Sequence, residues 1–174
     1  VDGGLPLPMP ADPDPDQVLD ATLGPAIARL RQTFESREAY RAFWKAHPAF
    51  GCRPDAWSAD VEAYVDYDLV DGRSRVDETA IRADGRDLLV DEAARGAAAR
   101  LTVPILLLRA PRGLLDQPEP LIPADAAEAW AAATPGAVVE EVPDTNHYLI
   151  TLGAREAGVV AARVVEIAEA AGST

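Results

Sequence analysis

Hydrophobic positions change their spacing near residue 100. Before it they recur at helical intervals: Val18, Leu19, Leu23, Ile27 and Leu30, then Tyr40, Phe43, Trp44 and His47, then Val61, Tyr64 and Val65. A period near 3.6 marks amphipathic helices with one buried face. Gly24-Pro25 interrupts the first group, and proline is well placed at the start of a helix, so two short helices are expected there. Ser36 suits an N-cap, Pro48 suits a stop, and a further helix is expected from about Ser58 to Tyr67. Asp77 to Ala99 reads as helical with breaks near Gly85 and Gly96, leaving Ile81, Leu88, Leu89 and Val90 for burial.

After residue 100 the pattern is different. Val103 to Leu108, V-P-I-L-L-L, is a continuous apolar run of strand length, as in a strand covered on both faces of a parallel sheet. An Ala-rich helix from Ala124 to Thr134, a second strand from Ala137 to Val142 and a closing helix from Arg155 to Ala171 follow. Strand, helix, strand, helix predicts the α/β class with parallel strands. Two strands alone do not build such a sheet, so partner strands outside this chain are expected. At the other end, residues 5–16 are dense in proline and read as an extended connector.

Composition narrows the function. The chain has 174 residues, 48% hydrophobic and 26% charged, in the range of packed globular domains. Its net charge of -13 repels phosphate backbones and anionic headgroups, so neither nucleic acid nor a membrane surface is an expected partner. Cys52 is the single cysteine, which excludes an intrachain disulfide or a thiolate cluster and favours a reducing, cytoplasmic setting. No run approaches a membrane span, and no metal-ligand spacing or phosphate-cradling glycine loop occurs, so no metal and no cofactor is expected. The acidic stretches Asp12–Asp20 and Asp60–Asp71 read as solvated faces. Eight of the ten aromatics lie between Phe34 and Tyr67, which suits either a helical lid over an apolar pocket or a small helical core.

In α/β sheets, reactive groups sit in loops at the carboxyl ends of the strands. Two such loops are expected, Arg109 to Pro118 and Pro143 to Tyr148. Asp116 in one and His147 in the other suit an orienting acid and a base, the carboxylate fixing the imidazole tautomer while the histidine activates a nucleophile. Asp125 and Asp144 compete less well, as cap and loop residues. His47, on the aromatic helix before Pro48, reads as structural or pocket-lining.

At these residues the chain resembles the α/β-hydrolase superfamily. The apolar strand followed by G-L-L-D, Gly113 to Asp116, is similar to that family's strand-then-acid segment, and P-D-T-N-H, Pro143 to His147, to its catalytic-histidine loop. The resemblance implies that residues 1–16 hold the end of the sixth strand and a connector, residues 17–100 an inserted helical cap, and residues 101–174 the C-terminal part of the α/β core. It also offers Asp2 as an alternative acid, since haloalkane dehalogenases place the acid after the sixth strand. The family's nucleophile elbow, G-x-S-x-G or its Asp equivalent, is absent; Ser36, Ser58, Ser74, Ser173 and Cys52 all lack that spacing. The opening Val1-Asp2-Gly3-Gly4 has no initiator Met, so a processed or truncated product is expected, with the nucleophile in a missing N-terminal half. The resemblance thus implies an esterase-like hydrolase of a small apolar ester, its cap aromatics Tyr40, Phe43, Trp44 and Trp57 holding the apolar part. An epoxide hydrolase or dehalogenase with an Asp nucleophile, and a non-catalytic binding remnant, are the alternatives.

Overall fold

A computed structural model describes residues 1, 3–5 and 14–172. The Pro-rich connector therefore falls largely outside the described residues, and so do Asp2 and Ser173.

The helical part begins with α1 (Pro15–Leu30), capped by the Asp14 carboxylate, which accepts from the Asp16 and Gln17 N–H groups. The two helices expected around Gly24-Pro25 are one. Leu19 and Ile27 are buried on either side of that pair, and packing against a later helix holds the axis through the proline. Next come α2 (Arg37–Lys45), capped by Ser36, the single turn α3 (Pro48–Gly51), and α4 (Ala59–Asp68), capped by Ser58.

A hairpin absent from the sequence reading follows, with β1 (Leu69–Val70) antiparallel to β2 (Arg73–Ser74). Its signal was Asp71-Gly72. Both residues have positive φ, 50° and 77°, as a two-residue turn matched to strand twist requires. Then α5 (Glu78–Val90) runs unbroken through Gly85 and gives way at Asp91 to the short α6 (Glu92–Arg95) and a single 3₁₀ turn, Ala98–Arg100. Gly85 marks a close approach and not a break: a Cβ there would collide with the Leu19 side chain of α1. Leu88 and Val90, expected to be buried, are 57% and 46% exposed.

The remaining residues form the α/β part. Strands β3 (Ile105–Arg109) and β4 (Ala137–Glu141) run parallel in register Leu107 to Val139, joined through α7 (Ala124–Ala133). The one-turn α8 (Leu149–Leu152) leads into α9 (Ala154–Gly172). Strand alternation divides the core. Leu107 and Val139 pack with Ile122, Ala127 and Trp130 on the α7 side, whereas Leu106 and Leu108 pack with Val142, Ile150, Val159 and Val160 on the α9 side. The outer stripe of α9 stays open, Val164 being 61% exposed.

A third core joins the two parts: Tyr40, Trp44, Phe50, Val61 and Val65 of the helical region close around Leu149 of α8. Beneath it lies a buried ionic network. Arg29 Nη1 donates to Tyr40 Oη at 2.5 Å and to Asp68 Oδ2 at 2.8 Å, the Tyr40 hydroxyl donates to Asp68 as well, and Ser74 Oγ donates to Asp68 Oδ1 at 2.8 Å. The Arg29 guanidinium also faces the Trp44 ring at 4.9 Å. Burial, then the bond to Asp68, pushes the Tyr40 hydroxyl up to about 12.

Candidate active site

The parallel pairing of β3 and β4 continues past the strands. Val142 N–H donates to Arg109 O at 3.0 Å, and Arg112 pairs with Asn146 as an isolated parallel bridge. The Asp116 loop and the His147 loop therefore leave one end of the sheet side by side. Each carries an aspartate in the left-handed region, φ 57° at both Asp116 and Asp144, a conformation that aspartate tolerates better than most residues. The first loop closes tightly: Gly113 N–H donates to Gln117 O at 3.0 Å and Asp116 N–H to Gly113 O at 3.2 Å. A Cβ at Gly113 would lie 2.6 Å from the Glu119 carbonyl oxygen, so only glycine fits.

Asn146 is the hub. It is fully buried, and both functions of its amide are engaged. Nδ2 donates to Asp116 Oδ1 at 3.1 Å and to Ala49 O of α3 at 3.0 Å, while Oδ1 accepts from Tyr148 N–H at 3.1 Å and Leu149 N–H at 3.0 Å. One side chain thus joins the Asp116 loop, the helical region and the start of α8, and fixes the turn that carries His147. The sequence reading noted Asn146 only as part of P-D-T-N-H. Its signal was an amide between a strand end and a helix start, where side-chain capping is in demand.

Asp116 Oδ1 accepts a second bond, from Arg112 Nε at 3.0 Å, and Arg112 also reaches the Asp116 carbonyl. Among the described residues no hydrogen bond runs from Asp116 to His147 itself. His147 is half-buried, its ring 5.8 Å from that of Tyr148. The alternative acid Asp2 lies outside the described residues.

Behind the His147 loop, Glu156 of α9 is completely buried and pairs with Arg53 at 2.8 Å and Arg155 at 2.8 Å. Burial pushes its pKa up, but the hydrogen bonds from Arg53, its own backbone and Arg155 outweigh that and hold it below the usual range. Arg53 Nη1 also donates to Asp144 O at 2.8 Å, a second tie between the helical region and the His147 loop.

The cap aromatics take a packing role. Tyr40 and Trp44 are 0% and 1% exposed, and Phe43 and Trp57 pack against them. Of the two expectations for this cluster, a helical core describes the structure. Edge-to-face contacts such as Phe34 with Tyr40 at 4.6 Å hold the cluster together. The structure also has cavities. An apolar one of about 280 Å³ lies alongside the contact of α1 with α5, bordered by Leu19, Leu23, Leu88 and Leu89, and reaches Gly3, Gly4 and Ile122. A smaller one of about 120 Å³ lies between α1 and the two loops, bordered by His47, Leu115, Gln117 and Tyr148. No group of three His, Cys, Asp or Glu residues able to hold a metal occurs among the described residues, and no described helix is long and apolar enough to cross a membrane.

No family model and no curated protein matches the chain. Among solved structures it is similar to E-2-(acetamidomethylene)succinate hydrolase, with a TM-score of 0.59 and 24% identity over 84% of this chain and 50% of that one. The chain spans half the length of that hydrolase. At this identity the likeness is one of fold, and it places the architecture in the α/β class.

Proposed function

We propose that this chain contributes the general base, and the loops that hold it, to an esterase-like hydrolase of the α/β-hydrolase type. The observation that carries the reading is the juxtaposition of the Asp116 and His147 loops at the carboxyl ends of two adjacent parallel strands, pinned to each other through Asn146. In this reading His147 takes the proton from a nucleophile and returns it to the leaving group. The nucleophile comes from sequence outside these 174 residues. The described serines are engaged away from the loops: Ser36 and Ser58 cap helices and Ser74 holds Asp68. Cys52 is raised by burial and then by the Asp116 charge, which disfavours a thiolate.

Asp116 and Asp2 are the two candidates for the acid that orients His147, and they predict different phenotypes. Asp116 is also a strut of the loop through Arg112 and Asn146, so D116N lowers stability together with rate. If Asp2 is the orienter, D2N lowers the rate by several orders of magnitude. The cavity alongside α1 and α5 suits the apolar part of the substrate. The test is His147→Ala in the full-length protein against a panel of short-chain aryl esters. Turnover is expected to vanish, and wild-type turnover in the variant overturns the assignment.

A further inference from the structure

The small cavity between α1 and the two loops has four polar side chains in its wall, Thr22, His47, Gln117 and Tyr148, beside Pro25, Leu114 and Leu115. Their protons can be placed. His47 Nδ1 accepts the Ala49 N–H at 3.2 Å, so a neutral ring carries its hydrogen on Nε2. Burial, and then the charge of Arg29, lowers the His47 pKa and keeps the ring neutral. Burial pushes the Tyr148 hydroxyl up to about 12, so it keeps its proton. Gln117 Oε1 accepts the Leu115 N–H at 2.8 Å, which leaves the amide hydrogens of Nε2 to donate. Thr22, by contrast, donates to Val18 O at 2.8 Å.

His47 Nε2, Tyr148 Oη and Gln117 Nε2 hydrogen-bond to no described residue, and none is among the fully buried, unpartnered atoms, which include Trp44 Nε1 and Glu156 Oε2. All three side chains line the cavity. Three donors on the wall of one small, largely apolar cavity suit an acceptor seated in it. Among the described residues, no carboxylate lines the cavity to meet a cation or an ammonium group.

We propose that this cavity is a subsite for an sp² oxygen, a carboxylate or a carbonyl, held by the His47 Nε2–H, the Tyr148 hydroxyl and the Gln117 amide. That this oxygen belongs to a substrate rests on the reading of His147 as the base; the binding itself does not. Placed beside the His147 turn and the Asp116 loop, the subsite anchors the substrate at an oxygen remote from the bond that is cleaved.

The test titrates isotopically labelled full-length protein with acetate and, separately, acetamide, following the Gln117 side-chain amide and His47 ring resonances. At least one probe shifts both sets saturably in the roughly millimolar range expected of a four-atom fragment. Acetate alone identifies a carboxylate site, whereas acetamide, alone or with acetate, identifies a carbonyl site. Y148F and Q117L each weaken binding about fivefold, the loss of one hydrogen bond. H147A leaves probe binding intact, so failure of the hydrolase reading and failure of this one are separable. No shift with either probe, or unchanged affinity in both Y148F and Q117L, overturns the proposal.

Discussion

Removing the Asn146 amide exposes how the site is held. In Asn146→Ala the hydrogen bonds to Ala49 O, Asp116 Oδ1, Tyr148 N–H and Leu149 N–H vanish from a fully buried position. Each is worth roughly 1 kcal/mol net, and water entering the vacated space re-pairs some of the groups, so the expected loss is about 2–4 kcal/mol. Asn146→Asp keeps the shape and both acceptor bonds but turns the donating edge into a carboxylate oxygen facing Asp116 and the Ala49 carbonyl. Repulsion raises the pKa of the new acid in the folded state above its unfolded value. A raised folded pKa contributes stability that is present at low pH and lost as pH rises through that folded value. N146D is therefore closest to wild type in acid and falls behind toward neutrality. Urea denaturation of the three proteins at pH 4 and pH 7 reads both effects. An N146A protein within 0.5 kcal/mol of wild type, or an N146D deficit that does not grow with pH, refutes the view of Asn146 as the hub.

Three further outcomes follow from the structure. Asp68→Ala strands the buried Arg29 guanidinium and costs about 3–5 kcal/mol in denaturant unfolding, whereas the exposed Asp55→Ala stays within 0.5 kcal/mol. The Glu156 carboxylate is depressed, so its stabilisation is present above the unfolded carboxylate range and disappears as pH falls through its folded pKa; thermal melts of E156Q show less acid-induced loss than wild type below about pH 4.5. Gly72→Ala combines a positive φ with a Cβ that would lie 2.8 Å from Phe34 O, so it lowers stability by at least about 1 kcal/mol, whereas Gly158→Ala, with nothing within 4 Å, does not.

Much of the architecture is legible along the chain because its signals are local. The Ser36 cap, the apolar run ending at Leu108 and the Ala-rich segment after Pro123 each act within one or two turns of themselves, and the structure keeps all of them. The adjacency of the Asp116 and His147 loops was likewise implied by two parallel strands, since consecutive strand ends open on one crevice. Local signals misled where a distant contact outweighed them. Pro25 and Gly85 look like breaks, yet α1 and α5 pack against each other there, the glycine letting Leu19 come close.

What the amino-acid order determined by itself was the class of structure and the residue types at the strand ends, because periodicity and turn chemistry depend on neighbours in sequence. Only the tertiary structure decided what those residues touch. Asn146 meets Ala49 from 97 positions away and Arg53 meets Glu156 from 103, contacts that no spacing rule anticipates. It also packed Tyr40 and Trp44 into a core and lined one small cavity with His47, Gln117 and Tyr148. The reason is physical: burial and hydrogen-bond satisfaction are properties of the folded surroundings, and a side chain acquires its role from the groups that folding brings to it.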